Sequence, residues 1–202
     1  MSIQFPSDFW DQRYATETYV YGEAPNAFFK SQIDALKPGK MLLPFEGEGR
    51  NAVYAAKLGW QVDCFDFSST GKSKAEKLAE KYEVKVNYQV CDFRDFNWPN
   101  QHYDLIGLFY AHLPETDRIQ LHQHIIPSLD IGGLLLLEAF DKKQLGLPTG
   151  GPQNIDMLYS EAILHADFAA LRNRVVQQAR LVLDEGPGHV GEAEILRLAG
   201  MR

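Results

Sequence analysis

Cysteine is scarce in this sequence. Cys64 and Cys91 are the only two, and both fall inside apolar runs. Such a pair predicts reduced interior thiols and excludes a disulfide framework. The histidines show no metal-ligand spacing with them, so no metal site is expected. No apolar stretch approaches the length of a membrane span. The opening Met1-Ser2-Ile3-Gln4-Phe5-Pro6 has no basic flank followed by an apolar run, which argues against a secretory signal peptide. Basic charge is also in short supply: 20 Lys and Arg stand against 27 Asp and Glu, for a net charge of −7. An acidic chain lacks the basic face that nucleic-acid phosphates demand. The densest basic stretch, Lys72, Lys74, Lys77 and Lys81, is interleaved with Glu76 and Glu80 and reads as a solvated helix face. Internal repeats and low-complexity tracts are absent as well. The expectation is a cytoplasmic protein with neither a membrane nor a nucleic-acid partner, monomeric or homodimeric.

What is present suits one globular domain. The 202 residues are 45% hydrophobic and 23% charged, ordinary values for a soluble protein with its own core. The expected domain spans 1–202, with a helical lid segment at 1–36 and a core at 37–202. Strand and helix patterns alternate along that core. Strands are predicted at 39–45, 60–65, 85–90, 103–109 and 134–140. Helices are predicted at 50–58, 71–82 and 115–129, and Pro127 should end or kink the last of these. Apolar strands separated by helices predict a parallel sheet covered on both faces, and the crossover rule favours a doubly wound order.

The last part of the chain differs. Ser160 is positioned to cap a helix reaching about Leu171. Strand-like runs follow at 175–183 and 192–198, joined by the turn-forming loop 184–191. No helix fits between them, so they should pair as an antiparallel hairpin at the sheet edge. The fold class expected is therefore α/β, with a doubly wound, Rossmann-like sheet of seven strands, mostly parallel with an antiparallel C-terminal hairpin. Outside this core, 7–36 is rich in aromatics and 141–159 is a glycine- and proline-containing loop.

The sharpest local feature is Glu46-Gly47-Glu48-Gly49-Arg50-Asn51-Ala52, between the first strand and the first core helix. Glycines there allow a tight turn and a close approach to a ligand, and the helix start supplies unpaired N–H groups. Asp66 ends the second strand, where an acid can bond both hydroxyls of a ribose. Asp92-Phe93 ends the third, where a carboxylate and an apolar ring can hold an adenine. Gly47-x-Gly49-x-x-Ala52 with Asp66 nineteen positions beyond Gly47 also satisfies the dinucleotide fingerprint. Loop and acid alone do not separate a nicotinamide cofactor from S-adenosylmethionine. The C-terminal hairpin does favour the latter, since it is not the second mononucleotide-binding half that a dinucleotide needs.

Read together, Gly47-Glu48-Gly49-Arg50-Asn51-Ala52, Phe65-Asp66-Phe67-Ser68, Cys91-Asp92-Phe93, Tyr103-Asp104-Leu105-Ile106 and Gly132-Gly133-Leu134-Leu135-Leu136-Leu137-Glu138 resemble a class I S-adenosylmethionine-dependent methyltransferase. The resemblance runs from Phe9-Trp10-Asp11-Gln12-Arg13-Tyr14 to the final strand and is nearest to the tellurite-resistance and thiopurine methyltransferase group. It implies S-adenosylmethionine as cofactor, with Glu46, Gly47, Glu48, Gly49, Asp66, Phe67, Asp92 and Phe93 as its binding residues. One departure is local. The family's loop usually has an acid two positions before its first glycine, where this chain has Leu43 and Phe45. Pro44-Phe45-Glu46-Gly47 is closer to the thiopurine type, and Glu46 and Glu48 become the candidates for the methionine ammonium group.

Methyl transfer from a sulfonium is an in-line displacement whose donor is already activated, so the protein's task is alignment and exclusion of water. A thiol or chalcogen nucleophile needs little help; an oxygen or nitrogen often needs a base. The candidate catalytic residues are His112, which follows the fourth strand and titrates near neutrality, Tyr21, which with Tyr19 forms an aromatic lid or packs in the core, and Arg50, which orients an anionic substrate or pairs with a nearby acid. Asn26 reads as a helix cap, His189 as a loop residue that shapes its turn or reaches the site, and His122 and His124 as ordinary helix-face residues. The function expected is methyl transfer to a small-molecule acceptor, a thiol or chalcogen compound among the candidates. The alternative is a module that binds S-adenosylmethionine without turnover.

Overall fold

A computed structural model describes residues 7–202; the opening stretch 1–6, read above for the absence of a leader, lies outside the described residues. Seven strands form a mixed sheet in the order β3-β2-β1-β4-β5-β7-β6: β1 is Lys40–Pro44, β2 Gln61–Asp66, β3 Asn87–Val90, β4 Tyr103–Phe109, β5 Leu129–Phe140, β6 Arg172–Asp184 and β7 Val190–Met201. The doubly wound order and the antiparallel C-terminal hairpin are those the sequence predicts. The chain divides into two compact units. One runs to Phe96 and includes Glu185–His189; the other comprises Asn97–Asp184 and Val190–Arg202.

In the first unit β1 pairs parallel with β2, and β2 with β3. The run Met41-Leu42-Leu43 is fully buried, as expected for a strand covered on both faces. Helix α3 (Arg50–Lys57) returns from β1 and α4 (Ser69–Lys81) from β2. Ser68 caps α4 by accepting the N–H of Gly71. Two short helices precede β1: α1 (Ser7–Tyr14) and α2 (Ala27–Ile33), the second capped by Asn26 as predicted. Strand β3 is shorter than its alternating pattern suggested, and only Tyr88 in it is buried.

In the second unit β4 pairs parallel with β5, β5 antiparallel with β7, and β7 antiparallel with β6. Helix α5 (Glu115–Ser128) tolerates Pro127 because the helix ends one residue later. Strand β5 starts at Leu129, earlier than the predicted 134. Gly132 takes a left-handed turn (φ +85°), and the ladder with β4 is irregular between Tyr103 and Leu105. Helix α6 (Glu161–Asp167) is capped by Ser160 but stops short of the predicted Leu171. The carbonyl of Phe168 accepts the Leu171 N–H at 3.0 Å in a closing turn and the Arg174 guanidinium at 2.6 Å.

Candidate functional site

The glycine loop is built from main-chain constraints. Beyond β1 the chain turns through Phe45 and Gly47, both with positive φ, and reaches Gly49 (φ +86°) at the head of α3. A glycine N-cap has no side chain to satisfy the first N–H groups of its helix. Glu46 does this instead: its Oε1 accepts the Ala52 N–H at 2.7 Å. Burial pushes the Glu46 carboxyl up to about 8, against the lowering effect of the Ala52 and Asn51 N–H groups and of Arg50. The glycines answer to packing as well. A Cβ on Gly47 would stand 2.7 Å from the Tyr14 hydroxyl, and one on Gly49 would stand 2.4 Å from the Ala75 Cβ. The loop is thereby pressed against α1 and α4.

Asp66 stands at the end of β2 with its carboxylate turned to this loop. Its Oδ2 accepts the Gly47 N–H at 3.1 Å and its Oδ1 the Ser68 N–H at 3.0 Å. Burial pushes it up to about 6, opposed by these N–H bonds. Each oxygen takes one N–H from these two and has a second lone pair, so the group has the acceptor capacity that a ribose diol requires. Tyr88 anchors the other side of the turn by donating to the Gly47 carbonyl at 2.7 Å. Phe67, half-buried, lies beside Phe45, and Phe93 is fully buried. Asp92 accepts the N–H of Arg94 at 2.8 Å and pairs with its guanidinium at 2.9 Å. These acceptors and apolar rings suit the hydroxyls and base of an adenosyl group.

Glu48 faces the N-terminal segment. Its Oε2 accepts the N–H groups of Val20 and Tyr21, at 2.8 and 3.3 Å. Its Oε1 stands 2.6 Å from Lys74 Nζ as an ion pair without hydrogen-bond alignment. Lys74 also donates to the carbonyls of Thr16 and Thr18. This corrects the reading of the lysine stretch as a wholly solvated face. Lys72 does pair with Glu76 along the helix, but Lys74 is 8% exposed and ties 16–21 to α4. Asp11 adds a second tie, accepting from the Ser68 hydroxyl and the Thr70 N–H.

Arg50 has an acid partner. It donates to the Tyr21 carbonyl and to Glu185 Oε2, both at 2.9 Å. Burial raises the Glu185 carboxyl, but His189 and the Arg50 guanidinium outweigh it and hold the group at about 2. The Tyr21 ring packs on His189 with centroids 4.5 Å apart, and its hydroxyl accepts from Arg13. Gly186 permits this docking, since a Cβ there would stand 2.4 Å from the Gly22 nitrogen. Tyr21, Arg50 and the glycine loop thus lie in one unit with the residues predicted for the cofactor.

His112 lies in the other unit. Its Nδ1 stands 2.8 Å from the Met157 carbonyl and its Nε2 accepts the Phe140 N–H at 3.2 Å. Those partners require a neutral ring protonated on Nδ1. His122, read as an ordinary helix-face residue, is 3% exposed and belongs to a buried network: its Nδ1 meets Asp167 at 2.8 Å, and Arg118 pairs with the same carboxylate. Its spacing of four from Arg118 was the sequence signal, visible only once both faced inward. Tyr110 was also missed. Its φ is +55°, its N–H donates to the Glu138 carbonyl and its hydroxyl to Glu138 Oε1, while Arg197 donates to Oε2.

Comparison with known proteins agrees with this geometry. The family model described as "Methyltransferase domain" matches residues 46–133, from the glycine loop to the start of β5's apolar run. No curated protein matches the chain. A solved structure from work on the conversion of a disulfide bond into a thioacetal group during echinomycin biosynthesis is 17% identical, covering 97% of this chain and 92% of that one, with a TM-score of 0.74. TehB from Haemophilus influenzae is 18% identical over 97% of this chain and 66% of its own, at 0.71. The N-methyltransferase NodS from Bradyrhizobium japonicum, solved with S-adenosyl-L-homocysteine, is 11% identical over 86% and 82%, at 0.64. At such identities the structures establish the fold. The domain match and the shared fold make the chain similar to class I S-adenosylmethionine-dependent methyltransferases. TehB is among the structures it is similar to in fold, and the matched family uses S-adenosylmethionine.

Proposed function

We propose that this chain transfers a methyl group from S-adenosylmethionine to a small molecule bearing a soft nucleophile, a thiol or chalcogen compound. The carrying observation is the coincidence of the matched segment 46–133 with the loop, Asp66 and Asp92. Two similar structures concern sulfur chemistry or, by the resemblance, tellurite resistance, which favours a soft acceptor. The acidic balance argues for a small substrate over a nucleic acid. When bound, the cofactor supplies a methyl group on a positively charged sulfur. In this reading Asp66 holds the ribose hydroxyls, Asp92 with Phe93 and Phe67 the adenine, and the Gly47–Gly49 turn the methionine end, with Glu46 and Glu48 nearest its ammonium. Tyr21 and Arg50 hold the segment before β1 that excludes water. His112, fixed between Met157 and Phe140, positions the loop after β4 rather than acting as a base, in keeping with an acceptor that needs none.

Calorimetric titration with S-adenosylmethionine, S-adenosylhomocysteine and NADH in parallel tests the cofactor. Binding of the adenosyl pair with no NADH signal is expected, followed by product from a panel of thiols and chalcogen oxyanions. Failure of both adenosyl compounds to bind overturns the reading. Binding without product across the panel favours a cofactor-binding module.

A further inference from the structure

Phe45 follows the last residue of β1 and holds φ at +57°, inside the left-handed region. A bulky side chain there is strained, whereas glycine adopts the conformation freely. The same turn uses glycine at 47 and 49, so the ring at 45 is kept against a local cost. Strained residues of this kind cluster at ligand sites.

The ring belongs to an aromatic cluster. Its centroid lies 5.6 Å from Phe65, 5.4 Å from Phe67 and 6.3 Å from Phe93. These are direct contact distances, so no planar ligand lies between the rings. Phe65 and Phe93 are fully buried, while Phe45 and Phe67 are half-buried and keep accessible surface. That surface sits at the carboxyl ends of β1 and β2, beside Gly47 and Asp66, where ligands of open α/β sheets bind.

The cofactor carries a sulfonium, whereas Leu43 and Phe45 at the end of β1 bring no charge, and Leu43 is fully buried. Glu46 is engaged with the start of α3, and Glu48 with Val20, Tyr21 and Lys74. An aromatic face attracts a cation through its quadrupole.

We propose that Phe45 recognises the sulfonium of S-adenosylmethionine through its ring face, so that the chain distinguishes the cationic donor from its neutral product. The inference rests on the methyltransferase reading above. Its consequence is discharge of the product once the charge is gone.

The test is calorimetry of the full chain with S-adenosylmethionine and with S-adenosylhomocysteine, in wild type, Phe45→Leu and Phe45→Tyr. Leucine keeps an apolar side chain and removes the π face; tyrosine keeps the face. Phe45→Leu is expected to weaken S-adenosylmethionine about fivefold and leave S-adenosylhomocysteine within twofold, while Phe45→Tyr holds the wild-type ratio. Equal weakening of both ligands, or of neither, overturns the proposal and leaves the methyltransferase reading intact. If the wild type binds neither, the cofactor reading fails and the proposal with it. A thermal melt checks folding, and Phe45→Met carries the same comparison should leucine fail to fold.

Discussion

In the unit that carries the glycine loop, the buried acids Glu46 and Asp66 are met mainly by main-chain N–H groups. In the unit that carries β4 to β7, Asp167 is met by Arg118 and His122. Burial raises all three carboxyls, yet the outcomes are opposite. Glu46 and Asp66 end at about 8 and about 6, whereas the histidine and arginine hold Asp167 below its ordinary value. Neutral dipoles solvate a carboxylate only in part; a cation compensates it more fully. Acids held by dipoles keep a demand for hydroxyl donors or positive charge, which a ribose and a methionine ammonium would meet. The paired acid has no such demand and serves as a fastening between α5 and α6.

The largest test of this contrast is steric. Gly49→Ala puts a Cβ into Ala75 at a residue with φ +86°, and should cost about 4 kcal/mol in urea denaturation by adding left-handed strain to overpacking. A neutral effect would show that α4 does not hold the loop. Next, Arg118→Ala removes the cation from Asp167 inside a buried network. A loss of about 3 kcal/mol is expected, with the carboxyl of Asp167 moving upward by NMR titration, towards the behaviour of the loop acids. The smallest effect tests the loop acids themselves. Between about pH 4.5 and 8 the folded chain keeps a proton on Glu46 that the unfolded chain has lost, so this group lowers stability as pH rises through that window. Asp167 acts in reverse: its contribution is present above its unfolded value of 3.8 and is lost as pH falls below it. Glu46→Gln keeps an oxygen for the Ala52 N–H and removes the titration. It should gain ~2 kcal/mol at pH 8, little at pH 4.5, and flatten the profile between them. A gain independent of pH would contradict the assignment.

Much of this was legible in the residues. The apolar run Met41-Leu42-Leu43, the break at Gly59 and the helix-free interval between β6 and β7 state the sheet and its antiparallel end by pattern alone. Gly47, Gly49 and Asp66 mark the candidate cofactor loop because their spacing follows from the geometry of a strand, a turn and a helix start. Partners were less legible. Lys74 lies in the same charged repeat as Lys72, yet one is clamped to Glu48 and the other is on the surface. His122 and His124 sit two apart on α5; the first is sealed against Asp167 and the second stacks on Trp98.

What the sequence determined by itself is the fold class and the placement of the loop, since these depend on periodicity and on spacing within a few dozen residues; the cofactor was implied by the family resemblance. Only the tertiary structure decided which charged groups are engaged. Glu46 turned to its own helix, Glu48 to Val20 and Lys74, Arg50 to Glu185, and His112 to two main-chain groups. Those choices depend on burial and on partners as few as 6 and as many as 135 positions away in the chain. A buried polar group must find some partner to offset its lost water, and local pattern does not say which.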